Sequence, residues 1–350
     1  MSHSKKKAIK FARGFKIPTK DIIHKAIATT INKNRGKNQY ENLLLKLVDH
    51  FKPIPSPTND LDWLSQFREI GQTCQDYIKW CPISKNEKIG ETHFIYYVQI
   101  GNFDKTKLKF SDLIEYSKRF FTEKSIKLYP EKIEINLKEK EKTKRGTPIE
   151  VTASIKGKNI EKKLSIRYNQ ETNHYQLLTK SLLNVLESIK PKDSCGLIGL
   201  TEHDLYVENS DLFVAGLCNG DSAVGVFSSF RYNPRIRFND ENWFDVSEVE
   251  AKNSDSILLT RTCKLMVHET CHLLGIDHCI YMDCCMNGSG HLEEDFRQSM
   301  FLCPVDLKKL NFIFDFDMIE RYKNLKEFFK KHKCKKEIKR LEDLIKILKC

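Results

Sequence analysis

The 350-residue chain is 40 % hydrophobic and 30 % charged, ordinary proportions for a soluble protein with one large or two moderate cores. No apolar run approaches the roughly 20 residues that cross a bilayer, and the lysine-rich start has no continuous apolar stretch, so neither a membrane span nor a secretory signal is expected. The formal charge of +12 comes without a DNA-binding finger spacing, an aromatic RNA-binding signature or a Gly-rich phosphate loop, and solvated lysine faces are expected rather than nucleic-acid binding.

In chain order, residues 1 to about 60 are basic and poorly periodic, and "KPIPSPTND" is a proline-rich break, which predicts a loose basic arm. In "DLDWLSQFREIGQTCQDYIKWCP", Leu61, Leu64, Phe67 and Ile70 stand at helical spacing and complete an N-terminal extension over 1–90. "FIYYVQIG", "FSDLIEYSKRFFTEK" and "SIKLYP" then read as strand, helix and strand, the opening of a mixed α/β sheet. Residues 131–170 alternate by twos around charged turns and predict a solvent-facing β-hairpin insertion. A helix in "YQLLTKSLLNVLESIK" leads to a strand at 196–202 and an edge strand near 223–231. Free backbone groups on such an edge would hold an extended peptide, with Ser228, Ser229, Phe230 and Arg231 as candidates for its rim. Phe312, Phe314, Met318 and Tyr322, then Ile338, Leu341, Ile345 and Leu348, give a helical C-terminal extension over 313–350, which leaves 91–312 as the central domain.

Chemistry concentrates in "VHETCHLLGIDHC", residues 267–279. His268 and His272, four apart, share one face of a helix and can point at a common ion. Glu269, next to the first ligand, can reach a metal-bound water as general base without taking a coordination position. Gly275 permits positive φ, so the helix can end there and the chain can return His278 as a third ligand. Three nitrogens and one open position describe catalytic zinc. Upstream, Leu259, Cys263, Met266 and Val267 give an apolar face that makes this helix a buried one.

Twelve cysteines in a chain without an export signal point to metal binding rather than disulfides, and the cytosol or nucleus is the expected location, with a mitochondrial presequence the lesser alternative. Cys74, Cys81, Cys195, Cys218, Cys334 and Cys350 are scattered singly and read as filler or surface thiols. In "CIYMDCCMNGSGHLEEDFRQSMFLCPVDLKKL", by contrast, Cys279 and Cys284 lie five apart and Cys303 opens a Cys-Pro turn. Asp306 stands where a second pair would have its other cysteine.

The histidine motif, the abutting cysteine, a second cysteine after four residues, a methionine two further on and the later Cys-Pro turn together resemble the archaemetzincins, a branch of the metzincin zinc peptidases. "GLIGLTEHDLY" (196–206), "DLFVAGLCNGDSAVGVFSSFRYNP" (211–234) and "GSGHLEED" (288–295) resemble further segments of that family, so that residues 91–312 fit and the ends do not. The resemblance implies a metzincin-like α/β (α+β) fold with a mixed, twisted sheet, an active-site helix and a lower subdomain built on a methionine turn. It implies that His268, His272 and His278 bind the catalytic zinc, that Glu269 is the base, and that Met286 forms the turn beneath the metal without binding it. Cys279, Cys284 and Cys303 would be three ligands of a second, structural zinc, with Asp306 in the place of a fourth cysteine. An aspartate oxygen can bind zinc, the adjacent Cys285 could swing in, or Asp306 could merely cap the helix that follows.

The expected function is zinc-dependent hydrolysis of peptides, aminopeptidase-like on short peptides: Glu269 takes a proton from the zinc-activated water and passes it to the leaving amine. The alternative is a zinc-stabilised interaction module with basic ends and little peptidase activity, in which Glu269 would be dispensable.

Overall fold

The computed structural model describes residues 9–29, 35–83, 88–139, 149–170, 174–235 and 253–349. The first eight residues of the basic start, the charged turn at 140–148 and Cys350 lie outside them. The chain folds as two compact units, one of residues 1–81, 275–315 and 339–350, the other of residues 82–274 and 316–338.

The second unit is built on a mixed sheet. Strand β1 (Phe94–Ile100) is a nearly continuous apolar run, buried from Ile95 to Val98, as suits a central parallel strand covered on both faces. It pairs in parallel with β2 (Ile126–Leu128), β3 (Ile133–Glu139) and β8 (Ser194–Thr201). Gly199 of β8 makes room for Ile100, whose Cδ1 would lie 2.4 Å from an added Cβ. β4 (Ile149–Ile155) and β5 (Ile160–Leu164) extend the sheet beyond β3, while β10 (Gly216–Asn219) and β11 (Val224–Ser228) extend it beyond β8, in the order β10-β11-β8-β1-β3-β4-β5. A smaller sheet joins β6 (Ile166–Asn169), β7 (His174–Leu178) and β9 (Asp204–Tyr206). Helix Thr179–Ile189 lays Leu182, Val185 and Leu186 into the core of the large sheet, and helix Phe110–Phe120 packs Tyr116 against Phe328 and Phe329 of helix Met318–Lys331.

Four expectations are corrected here. The segment 131–170 is not a solvent-facing hairpin: β3, β4 and β5 form a meander whose Ile133, Val151, Ala153, Ile155 and Leu164 belong to the core. Its period-two pattern is right, but the buried side is the central sheet itself. Residues 174–178 form β7 rather than the first turns of a helix, because Gln176 is wholly buried and its amide donates to Asp204 Oδ2 and the Leu212 carbonyl. The edge strand is β10; β11 lies inside the sheet, antiparallel to β10 and parallel to β8. The rim candidates are likewise internal: Ser228 Oγ donates to the His203 carbonyl, Ser229 is buried, and Arg231 is 2 % exposed and paired with Asp204 at 2.6 Å, leaving Phe230 half-buried.

The first unit is mainly helical. Helices Lys20–Ile27, Arg35–Val48, Cys74–Trp80 and Pro304–Phe314 bury Ile23, Ile27, Leu44, Leu47, Tyr77, Leu307 and Leu310. Lys308 ties the first two of these to the last, its ammonium donating to the Ile27 carbonyl and to Glu41, each at 2.6 Å. The arm expected to be loose is therefore packed wherever it is described between 20 and 48, because its apolar residues have a helix to dock on. The helical spacing of Leu61 to Ile70, in contrast, yields a single turn, Trp63–Gln66, followed by extended chain with Ile70 91 % exposed. Side chains outcompete the periodicity: Asp62 accepts from the Thr58 and Asn59 amides, and Glu294 accepts from the Trp63 amide at 2.8 Å. No helix among the described residues is long and apolar enough to cross a membrane.

Candidate metal centres

Helix Ser254–Leu273 buries twelve of its 20 residues, among them the apolar face of Leu259, Cys263, Met266 and Val267 and also the polar Thr262, Lys264 and Thr270. His268, Glu269 and His272 are the half-exposed exceptions in its last two turns. The i, i+4 spacing brings the two Nε2 atoms to 3.0 Å, near the about 3.3 Å set by two nitrogens at about 2.0 Å from one tetrahedral zinc. Thr270 fixes the rotation of this turn, meeting the buried Tyr97 hydroxyl of β1 at 2.9 Å and donating to the Met266 carbonyl at 2.6 Å. Glu269 sits beside the edge strand: the Cys218 thiol of β10 donates to the Glu269 carbonyl at 3.8 Å, and burial, then the Glu269 carboxylate, push that thiol well above its ordinary range.

Leu274 closes the helix through bonds to the Thr270 and Cys271 carbonyls, and Gly275 follows at φ +81°, the left-handed exit its residue type predicts. His278 lies three residues on, in the first unit. Its Nδ1 is 2.8 Å from Glu69 Oε1, and its ring meets Trp63 edge-on at 5.0 Å between centroids. Neither Glu69 nor Trp63 carries a signal in the sequence, since both stand about two hundred positions away.

The cysteine site is wholly internal to the first unit. Cys279, Cys284, Cys303 and Asp306 are buried and offer ligand atoms all within 4.8 Å of one another; Cys285 is not part of the group. Cys279 Sγ is 3.5 Å from Cys303 Sγ, and Asp306 Oδ2 is 3.2 Å from Cys284 Sγ and 3.5 Å from Cys303 Sγ. Sulfur at about 2.3 Å and oxygen at about 2.0 Å from a tetrahedral zinc would stand about 3.5 to 3.8 Å apart, so the donor set fits that ion. Asp306 is not a cap: Cys303 is the N-cap of helix Pro304–Phe314, and Asp306 lies inside its first turn with its side chain turned to the thiols. Its other oxygen, Oδ1, accepts from the ammonium of Lys309 at 2.8 Å, and both residues are fully buried. Burial and the Cys279 thiol push the Asp306 carboxyl up to about 7 against the pull of Lys309, and burial pushes Cys279 up to about 12. Such groups surrender their protons to a bound cation. Lys309 was legible only as part of a lysine-rich helix.

Met286 is fully buried in the loop between these ligands, where its carbonyl accepts from the Cys279 amide at 2.7 Å. Asn287 locks the turn, accepting from the Cys284 amide and donating to the Cys279 and Met282 carbonyls. A third group, Asp62, His291 and Glu294, is already filled by protein donors, with Arg297 and two backbone amides on Asp62 and two more amides on Glu294.

No protein-family model matches the chain. It is 30 % identical over 302 residues to archaemetzincin-2 of Rattus norvegicus, covering 81 % of this chain and 76 % of that protein. Archaemetzincin-2 of Homo sapiens is 29 % identical over 301 residues, covering 79 % and 74 %. Among solved structures, the crystal structure of archaemetzincin from Methanopyrus kandleri shares 18 % identity and a TM-score of 0.38, covering 63 % of this chain and 97 % of that one. The class is that of the zinc metallopeptidases. Within that class, the chain belongs to the archaemetzincin family.

Proposed function

We propose that the protein hydrolyses peptide bonds at a zinc ion held by His268, His272 and His278, with Glu269 as general base and a second, structural zinc held by Cys279, Cys284, Cys303 and Asp306. The observation that carries the reading is the convergence of the His268 and His272 Nε2 atoms, beside Glu269, at the half-exposed end of a helix whose last two turns are otherwise buried. His278, six residues along from His272, supplies the third nitrogen after the left-handed exit at Gly275. These residues would hold a zinc ion, which would supply a water of lowered pKa and a Lewis acid for the scissile carbonyl.

The chain's own residues supply the rest. Glu269 accepts the proton that the attacking water loses and delivers it to the leaving amine nitrogen, so that one carboxylate serves both halves of the reaction. An extended substrate pairs its backbone with the outer edge of β10, the end of the sheet, which lies against the Glu269 turn. Thr270 and Tyr97 hold that turn still while the proton moves. At the cysteine site Asp306 would hold the ion through Oδ2, the oxygen turned to the Cys284 thiol, since Oδ1 accepts from Lys309. Short peptides are the proposed substrates, with aminopeptidase action the form the family resemblance suggests.

The test measures metal per chain and cleavage of a peptide library, with free and acetylated amino ends, on the wild type and on Glu269→Gln. Two zincs in both proteins with cleavage confined to the wild type supports the reading, and loss of cleavage on acetylation assigns it to the amino end. Equal cleavage by the two proteins removes Glu269 as base, and no cleavage by either favours an interaction module.

A further inference from the structure

We propose that Glu69, in the N-terminal part of the chain, is a positioning residue for the zinc ligand His278. It fixes the imidazole as the Nδ1–H tautomer, so that the lone pair offered to the metal is the one on Nε2.

A carboxylate oxygen only accepts, so the 2.8 Å contact between Glu69 Oε1 and His278 Nδ1 places a proton on Nδ1. A neutral imidazole has one such proton, and its lone pair is then on Nε2. Nε2 is also the atom that His268 and His272 bring together, so all three rings would present the same nitrogen.

Glu69 is itself held in place. Its Oε1 also accepts from the Trp63 indole Nε1 at 2.6 Å, and that indole lies edge-on to the His278 ring. The Trp63 amide is pinned by Glu294, and the indole rests on Gly288, where an added Cβ would come within 2.4 Å of Cδ1. Three residues after Glu69, Gln72 straps the same loop: its amide donates to the Gly275 carbonyl at 2.9 Å, and its oxygen accepts from the Asp277 amide at 3.4 Å. The short stretch from Trp63 to Gln72 thus binds the helix exit at Gly275, Asp277 and His278. These contacts give a physical reason for a segment that periodicity marks as helix to stop after the single turn Trp63–Gln66.

The inference rests on the reading of His278 as a zinc ligand, and the experiment separates the two. Metal affinity is measured by chelator competition on the full chain, together with the absorption spectrum of the cobalt-substituted protein, for wild type, Glu69→Ala, Glu69→Gln and His278→Ala. The thiolate bands of the cysteine site serve as an internal check of folding. Glu69→Ala is expected to weaken the histidine site about 10- to 100-fold and to shift its cobalt bands, with thiolate bands unchanged. Glu69→Gln, whose amide oxygen still accepts from Nδ1 but carries no charge, is expected to recover part of the loss. Wild-type affinity and spectrum in Glu69→Gln and Glu69→Ala, while His278→Ala loses the ion, overturn the role of Glu69 alone. The same holds if Glu69→Ala fails to fold and Glu69→Gln is indistinguishable from wild type. Full retention of the ion in His278→Ala overturns the ligand assignment, and the positioning role with it.

Discussion

Asp306 and Lys309 form one fully buried ion pair beside the three thiols of the cysteine site. A fourth thiolate would bring only its charge and one soft donor; an aspartate brings a second oxygen that must also be satisfied in a fully buried place. Lys309, one helical turn on, satisfies it at 2.8 Å, and the carboxylate in turn holds the Lys309 ammonium protonated despite burial. The pair should therefore be interdependent. Lys309→Met is expected to destabilise the protein by about 3 to 5 kcal/mol in urea unfolding, the usual result of stranding one half of a buried ion pair. Asp306→Ala should leave one zinc per chain instead of two, whereas Asp306→Cys should keep both, since four thiolates suit the ion at least as well. A second zinc retained by Asp306→Ala would mean that Asp306 does not bind it. The grouping of the three cysteines with Asp306 was readable because their spacing is local; Lys309 was not, because nothing in a lysine-rich helix tells which ammonium faces inward.

At the scale of elements, the helix exit joins local sequence to the site. Gly275 at φ +81° turns the chain out of helix Ser254–Leu273 toward His278. Gly275→Ala must adopt a backbone that L-residues avoid by about 1 to 2 kcal/mol, or abandon it and displace His278. Thermal unfolding should register the first loss and chelator competition the second; an alanine variant with unchanged stability and affinity would show that the turn does not set the ligand's position. Here the sequence was legible, because glycine chemistry and ligand spacing act over six residues. It was less so where long-range partners decide. Residues 174–178 have the apolar spacing of a helix, yet the buried amide of Gln176 finds its partners on Asp204 and Leu212 only as a strand. Leu61 to Ile70 fail as a helix for the same kind of reason, with Asp62, Trp63 and Glu69 each engaged by groups far along the chain. Alternation at 131–170 identified strands but not which side faces the core, which depends on the pairing of Ile133 with Ile100.

At the scale of the whole molecule, the two units should answer to different stresses. All four residues of the cysteine site lie in the first, so with a zinc bound there chelation should raise amide exchange in residues 275–315 while the β1–β8 pairing of the second stays protected. Acid should act on the second unit through two groups that have no part in metal binding. His203, beside Gly101, is held neutral by burial, reinforced by Lys105 and weakly opposed by Asp104, so that its pKa falls from an ordinary 6.5 to about 4. Between those values the unfolded chain binds a proton that the folded chain refuses. The contribution is therefore complete above pH 6.5 and is lost as pH falls to about 4, on the order of 2 kcal/mol after allowance for partial solvent access. Asp204 responds lower on the scale. Burial alone would raise its carboxyl, but bonds from His174 and Arg231 outweigh it and hold the group below its ordinary 3.8. Its stabilisation persists above that value and disappears only as pH falls through the depressed folded one. Urea unfolding of wild type and His203→Gln across pH 7 to 3 separates the two: the difference between the curves cancels the shared metal sites and isolates His203. The wild type should lose its advantage between pH 6.5 and 4, and both proteins should fall together below that. A constant difference across the whole range would show that His203 takes up its proton as readily in the folded chain as in the unfolded one.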